Sequence, residues 1–146
     1  MKKISKIAND EVPYIGIDVS KDELVGFIDS TGRHVSCPNK ARELKRLSRQ
    51  FAKLKPALIV MEASGGYEAL AVAAFVEAGL PFAIVFPRRV RQFALGLGII
   101  AKTDEIDAAV IARYGRLASI EPMPVSSKEL QELRALANRR THQNRA

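Results

Sequence analysis

Between residues 14 and 38, three short runs of strand-forming residues follow one another with too few residues between them for a crossover helix. They are YIGIDVS (14–20), the apolar part of DELVGFIDSTG (22–32) and RHVSCP (33–38), with STG as a turn signal. Strands joined this tightly pair antiparallel, because a parallel neighbour needs a crossover of a dozen or more residues. A three-stranded meander is therefore expected at the start of the fold. Downstream the pattern changes. PALIVME (56–62) and LPFAIVF (80–86) are short apolar runs of the fully buried kind, and each is followed by a helix-forming segment.

The segments NKARELKRLSRQFAKLK (39–55), SGGYEALAVAAFVEAG (64–79) and PRRVRQFALGLG (87–98) read as those helices. The first carries an apolar stripe of Leu44, Leu47, Phe51 and Leu54, with Asn39 as its expected cap and a Lys- and Arg-rich outer face. The predicted order β-β-β-α-β-α-β-α-α makes an α/β domain over 13–122. Its mixed sheet has a three-stranded antiparallel meander plus parallel strands, with helices on both faces. A ribonuclease-H-like architecture fits that order. A plain Rossmann sheet does not, since it opens with a strand and a crossover helix. After EPMP (121–124) a last helix is expected, with a Ser126/Glu129 capping box and a seam of Leu130, Leu133 and Ala137. It reads as the start of a coiled-coil or linker helix over 123–146, its seam uncovered and its end made basic by Arg139, Arg140 and Arg145. Residues 1–12 read as a disordered basic tail without an apolar signal core, and no apolar run approaches the roughly 18 residues of a membrane span. A cytoplasmic protein is expected.

The stretch AKTDEIDAAVIARYG (101–115) reads as a further helix. At about 100° per residue, Ile106, Val110, Ile111, Tyr114 and Leu117 share one arc, while Glu105, Ala109, Ala112, Arg113 and Arg116 take the other side. Asp107 falls inside the apolar arc and Asp104 at its edge, three residues apart and so side by side. Capping by Thr103 or Asp104 explains Asp104, but not a carboxylate on a buried face, which is costly unless paired or bound to a cation. On this helix alone, capping and a metal or catalytic role stand level.

Two more acids interrupt apolar strands: Asp18 in GIDVS and Glu62 in VMEASGG. If those strands are adjacent and parallel, the two carboxylates meet at the strand ends, where α/β sheets collect their chemistry. Four carboxylates from three elements repel one another strongly unless cations neutralise them. Cys37 is the only cysteine, and it reads as a small buried hydrophobe; the two histidines, His34 and His142, lie far apart. A zinc centre is therefore not expected, and oxygen ligands point to Mg²⁺ or Mn²⁺. Two such ions about 3.5–4 Å apart would serve phosphoryl transfer. The net charge of +7 suits a polyanionic partner, nucleic acid first. The candidate contacts are Lys21 in GIDVSK, Ser64, Gly65 and Gly66 in the loop after Glu62, and Arg88, Arg89, Arg91 and Lys102. Backbone N–H groups of the glycine loop can approach a phosphate, or the loop can be a plain tight turn. Arginines at a helix start suit bidentate phosphate contacts.

Taken together, GIDVSK (16–21), MEASGGYE (61–68), FPRRVRQFALGLG (86–98) and AKTDEIDA (101–108) resemble one family, the DEDD insertion-sequence transposases with a RuvC-like N-terminal domain, and the related pilin-gene DNA invertases. The resemblance covers most of residues 13–120. It implies that Asp18, Glu62, Asp104 and Asp107 are the family's catalytic, metal-binding acids. It also implies divalent-metal-dependent DNA cleavage and strand exchange, with donor and target DNA as partners. For some members it implies a guide noncoding RNA. Self-association through a coiled coil and a second domain bearing a serine nucleophile complete the expectation; this chain reads as the RuvC-like half alone. The competing readings are a stand-alone Holliday-junction-resolvase-like endonuclease and a non-catalytic RNA- or DNA-docking module. An actin-like kinase is disfavoured, because the chain has no room for its two domains and second phosphate loop.

Overall fold

The computed structural model describes residues 11–133 and 135. Its elements run β1 (Tyr14–Val19), β2 (Glu23–Ile28), β3 (Arg33–Pro38), α1 (Ala41–Leu54), β4 (Leu58–Glu62), α2 (Ala69–Glu77), β5 (Phe82–Val85), α3 (Pro87–Gly96) and α4 (Ala108–Leu117). This is the expected order. The five strands form one sheet in the order β3-β2-β1-β4-β5. β1–β2 and β2–β3 pair antiparallel, while β1–β4 and β4–β5 pair parallel. The short links and the alternation of strand with helix dictated this topology.

The strand period of two sorts the side chains into layers. Ile15, Ile17 and Val19 of β1 join Ile59 and Met61 of β4 in a core closed by Leu44, Leu47 and Phe51 of α1 and Leu70 and Phe75 of α2. The alternate residues Leu58 and Val60 of β4, with Ala83 and Val85 of β5, face Val90 and Ala94 of α3 and Val110, Ile111 and Tyr114 of α4. Asp18 and Glu62 are in phase with this second set, so alternation alone puts both acids on the α3/α4 face of the sheet.

That face is held by small residues. Ala108, Ala109 and Ala112 are buried with Phe27. A Cβ added to Gly16 would lie 2.1 Å from the Ala108 carbonyl oxygen and 2.4 Å from the Ala112 nitrogen, so α4 rests directly on the β1 backbone. Ala109 and Ala112 were expected on the outward side of this helix, and the structure corrects this. Alanine is small enough to admit the glycine-bearing strand, so the alanine side packs, whereas Leu117 is exposed.

Three local expectations also change. The helix expected from residue 101 begins only at Ala108. Asn39 does not cap α1, whose N-cap is Lys40 with no side-chain bond; Asn39 instead donates through Nδ2 to the Ser20 and Tyr67 carbonyls, both at 2.9 Å. Near the chain end, residues 127–133 are helical, and Ser126 Oγ accepts the Glu129 N–H at 3.1 Å, which is half of the expected capping box. The seam is not uncovered at its start, since Leu133 and Val125 pack against the core. Ala137, Arg139, Arg140, Arg145 and most of the basic tail lie outside the described residues.

Candidate active site

The parallel register of β1 and β4 runs from Tyr14 opposite Leu58 to Ile17 opposite Met61, so Asp18 and Glu62 are the next residues on neighbouring strands. Both are half-buried. Burial raises the Glu62 pKa above the ordinary glutamate value; the Asp18 charge raises it further, and the Arg91 guanidinium opposes the shift. Burial also raises Asp18, followed by repulsion from Asp107 and then Glu105. Glu62 Oε1 is buried with no hydrogen-bond partner among the described residues.

Asp107 reaches this group as the N-cap of α4. Its Oδ1 accepts the Val110 N–H at 2.9 Å, and its backbone is extended, with φ −109° and ψ 179°. The capping reading was therefore right about the chemistry and wrong about the residue, since it named Thr103 or Asp104. Asp107 does not sit in the middle of a buried helical face. It stands at the helix mouth, aligned with the positive end of the helix dipole. Asp104 lies in the preceding loop, where its Oδ2 accepts the Ala101 N–H at 2.8 Å. That bond, with some help from Arg91, holds its pKa below the ordinary aspartate value. The side-by-side helical pair is thus not formed, because residues 104–106 are not helical. For the same reason Glu105, expected to point away, acts electrostatically on Asp18.

Among the expected nucleic-acid contacts, Lys21, Arg88, Arg89 and Lys102 are exposed. Arg91 is half-buried and donates from Nη1 to the Lys102 carbonyl at 3.4 Å, a long contact. The Ser64–Gly66 loop takes the positive-φ conformation at Gly65 (69°) and Gly66 (104°). Its Ser64 and Gly66 donors are already engaged: Glu68 Oε2 accepts Ser64 Oγ–H at 2.7 Å, Gly66 N–H at 3.1 Å and Ser64 N–H at 3.3 Å. These bonds outweigh its burial and lower the Glu68 pKa. Sequence reading missed Glu68 as the anion in this loop. The signal was a carboxylate two residues past a glycine pair. It also missed Asn39 as the tie between the loops that follow Asp18 and Glu62.

Among the described residues, no three His, Cys, Asp or Glu side chains are grouped closely enough to enclose a metal ion. In kind, however, the donors fit a hard cation: Asp18, Glu62 and Asp107 are oxygen ligands, two carry raised pKa values, and one buried oxygen has no partner.

The cost of this arrangement is testable. Glu62 has a folded-state pKa above its unfolded one. At neutral pH the fold therefore bears a penalty, which is relieved as pH falls through the folded pKa toward the unfolded value. In metal-free buffer, Glu62→Gln is expected to raise stability at pH 7 by on the order of 1 kcal/mol, or about 3 °C in Tm. The gap between variant and parent should close as the pH is lowered to about 4. Thermal unfolding at the two pH values checks both the sign and the convergence.

A mixed sheet with a leading antiparallel meander, helices on both faces and acids at the ends of its two central parallel strands defines a ribonuclease-H-like fold of the RuvC kind. Two solved structures are similar to the chain in fold. One is the RuvC of Thermus thermophilus, with TM-score 0.53 and 18% identity, covering 77% of this chain and all of that one. The other is the T. thermophilus RuvC in complex with Holliday junction substrate, with TM-score 0.51, 16% identity and the same coverage. No curated protein sequence matches the chain. The family model for IS110-type DEDD transposases, described as a transposase, matches residues 15–145, and the chain belongs to that family. No helix among the described residues is long and apolar enough to cross a membrane.

Proposed function

We propose that this transposase domain cleaves DNA phosphodiester bonds with the aid of a divalent cation, Mg²⁺ or Mn²⁺. Asp18, Glu62 and Asp107 would hold the cation, and Asp104 would join from the adjoining loop. The observation that carries this reading is the buried Glu62 oxygen, without a hydrogen-bond partner among the described residues, beside a second acid of raised pKa on the same face of the sheet. When bound, such a cation activates a water or hydroxyl nucleophile and stabilises the leaving oxygen. The chain's own residues do the rest. Arg91 counters the Glu62 charge. Exposed Arg88, Arg89, Lys21 and Lys102 suit the DNA backbone. Ser64 and Gly66 would meet a phosphate only if Glu68 released their donors, whereas no bond from Gly65 to Glu68 stands in the way of its N–H. Complete strand exchange would draw on donor and target DNA, a guide RNA, self-association through the C-terminal helix and a serine-bearing second domain, as the family resemblance implies.

Calorimetric titration of Mn²⁺ into the chain, Asp18→Asn and Asp107→Asn tests the site. Asparagine caps helices as well as aspartate does, so the second variant keeps the start of α4. Saturable binding to the parent, lost or much weakened in both variants and accompanied by metal-dependent cutting of branched DNA, is expected. Equal binding by all three would refute a shared carboxylate site.

A further inference from the structure

Phe86 is the most exposed large apolar side chain among the described residues, at 65%. A single exposed apolar residue is ordinary, but this one occupies a position where it serves no local purpose. It is the N-cap of α3, where Ser, Thr, Asp or Asn would close the helix, and it makes no side-chain cap bond. Nor does it pack into either core layer.

Its neighbours suggest a ligand. Val85 pairs with Glu62 across the parallel ladder and accepts the Ala63 N–H at 2.8 Å, so Phe86 follows directly on the residue opposite the candidate catalytic acid. Pro87 at the first position of α3 fixes the backbone after it. Arg88 and Arg89 come next, exposed and without a carboxylate partner among the described residues. An apolar protein surface covering Phe86 would strip water from two guanidinium groups that no described carboxylate pairs, which is unfavourable. An unpaired nucleotide satisfies both demands, with its base on the ring and its phosphates on the arginines.

We propose that Phe86 is a stacking platform for an unpaired base of a DNA strand held at the active site, with Arg88 and Arg89 gripping the flanking phosphates. The inference rests on the DNA-cleaving reading above and specifies that site's substrate as DNA with unpaired bases.

The chain contains no tryptophan, so Phe86→Trp installs a single indole at the platform. This variant is titrated in metal-free buffer with a DNA duplex carrying a short thymine gap, with the same duplex uninterrupted, and with a matching gapped RNA. Binding of the parent and Phe86→Ala to the two DNAs is followed by anisotropy. Quenching of the indole by gapped DNA but not by intact duplex is expected. Phe86→Ala should lose about tenfold in affinity for the gapped DNA and little for the duplex. Equal quenching by both DNAs, or unchanged affinity of Phe86→Ala for the gap, overturns the platform. Stronger quenching by the RNA overturns the assignment to DNA. Since no cation is present, these failures are separate from a failure of the Mn²⁺ titration, which judges the carboxylate site by itself.

Discussion

Gly16→Ala is expected to lower the folding stability of the chain by about 3 kcal/mol, the upper end of ordinary overpacking costs. The new methyl group would lie 2.1 Å from the Ala108 carbonyl oxygen and 2.4 Å from the Ala112 nitrogen. Both are backbone atoms of α4, so no side chain can swing aside. Either α4 lifts off the sheet, or β1 shifts against its two hydrogen-bonded neighbours. The effect reaches the site because Ala108 immediately follows Asp107, whose charge raises the Asp18 pKa. Moving α4 outward separates those two acids. Urea unfolding followed by circular dichroism reads the stability, and the Mn²⁺ titration reads the site. A loss under 1 kcal/mol would show that α4 has room to recede.

The glycine in GIDVS was visible in the sequence, but its purpose was not, since the contact joins residues more than ninety positions apart. What the sequence did disclose was local. The links between the first three strands were too short for anything but a meander, and the apolar runs ending in Asp18 and Glu62 had the length and composition of central parallel strands. Both features survive into the structure because they follow from chain geometry rather than from long-range packing. The alanines of α4 were misread for the opposite reason. A wheel ranks residues by hydrophobicity, whereas here closeness of approach selects the smallest ones.

For the candidate site, the meeting of the two strand acids was legible in the sequence and the arrangement around α4 was not. The Asp18–Glu62 neighbourhood followed from strand pairing. Asp107 was singled out because a carboxylate inside a helical apolar arc is anomalous, yet the anomaly dissolves once the helix starts at Ala108. Thr103, Asp104 and Asp107 are all capping residue types, and sequence cannot rank them when the choice is tied to how α4 seats on β1. Glu105 was placed on the outward side and Glu68 escaped notice because their importance depends on loop conformations: a non-helical 104–106 segment and a positive-φ glycine pair.

Arg116→Ala is expected to cost about 3 kcal/mol, the range for breaking a buried ion pair from one side. Asp29 is only 5% exposed. Its Oδ2 accepts Arg116 Nε–H at 2.6 Å, its Oδ1 accepts Nη2–H at 3.1 Å, and Oδ1 also takes the Tyr14 N–H at 2.8 Å. The same guanidinium donates to the Val12 carbonyl at 2.7 Å and Glu11 Oε2 at 3.0 Å, and stacks 4.6 Å from the Tyr14 ring centre. Lysine cannot reproduce this planar set of donors, so Arg116→Lys should recover little. Asp29→Asn combined with Arg116→Ala should recover part of the loss, because the stranded charge goes with it. A single-variant loss below 1 kcal/mol in urea unfolding would place the pair with solvent-screened surface bridges. The clamp fastens the C-terminal end of α4 to the start of β1, whereas Gly16 seats the opposite end beside Asp107. Folded Arg116→Ala protein should therefore still bind Mn²⁺ like the parent, while Gly16→Ala should fail in both stability and binding. That contrast separates what holds the helix on the sheet from what sets the distance between the acids.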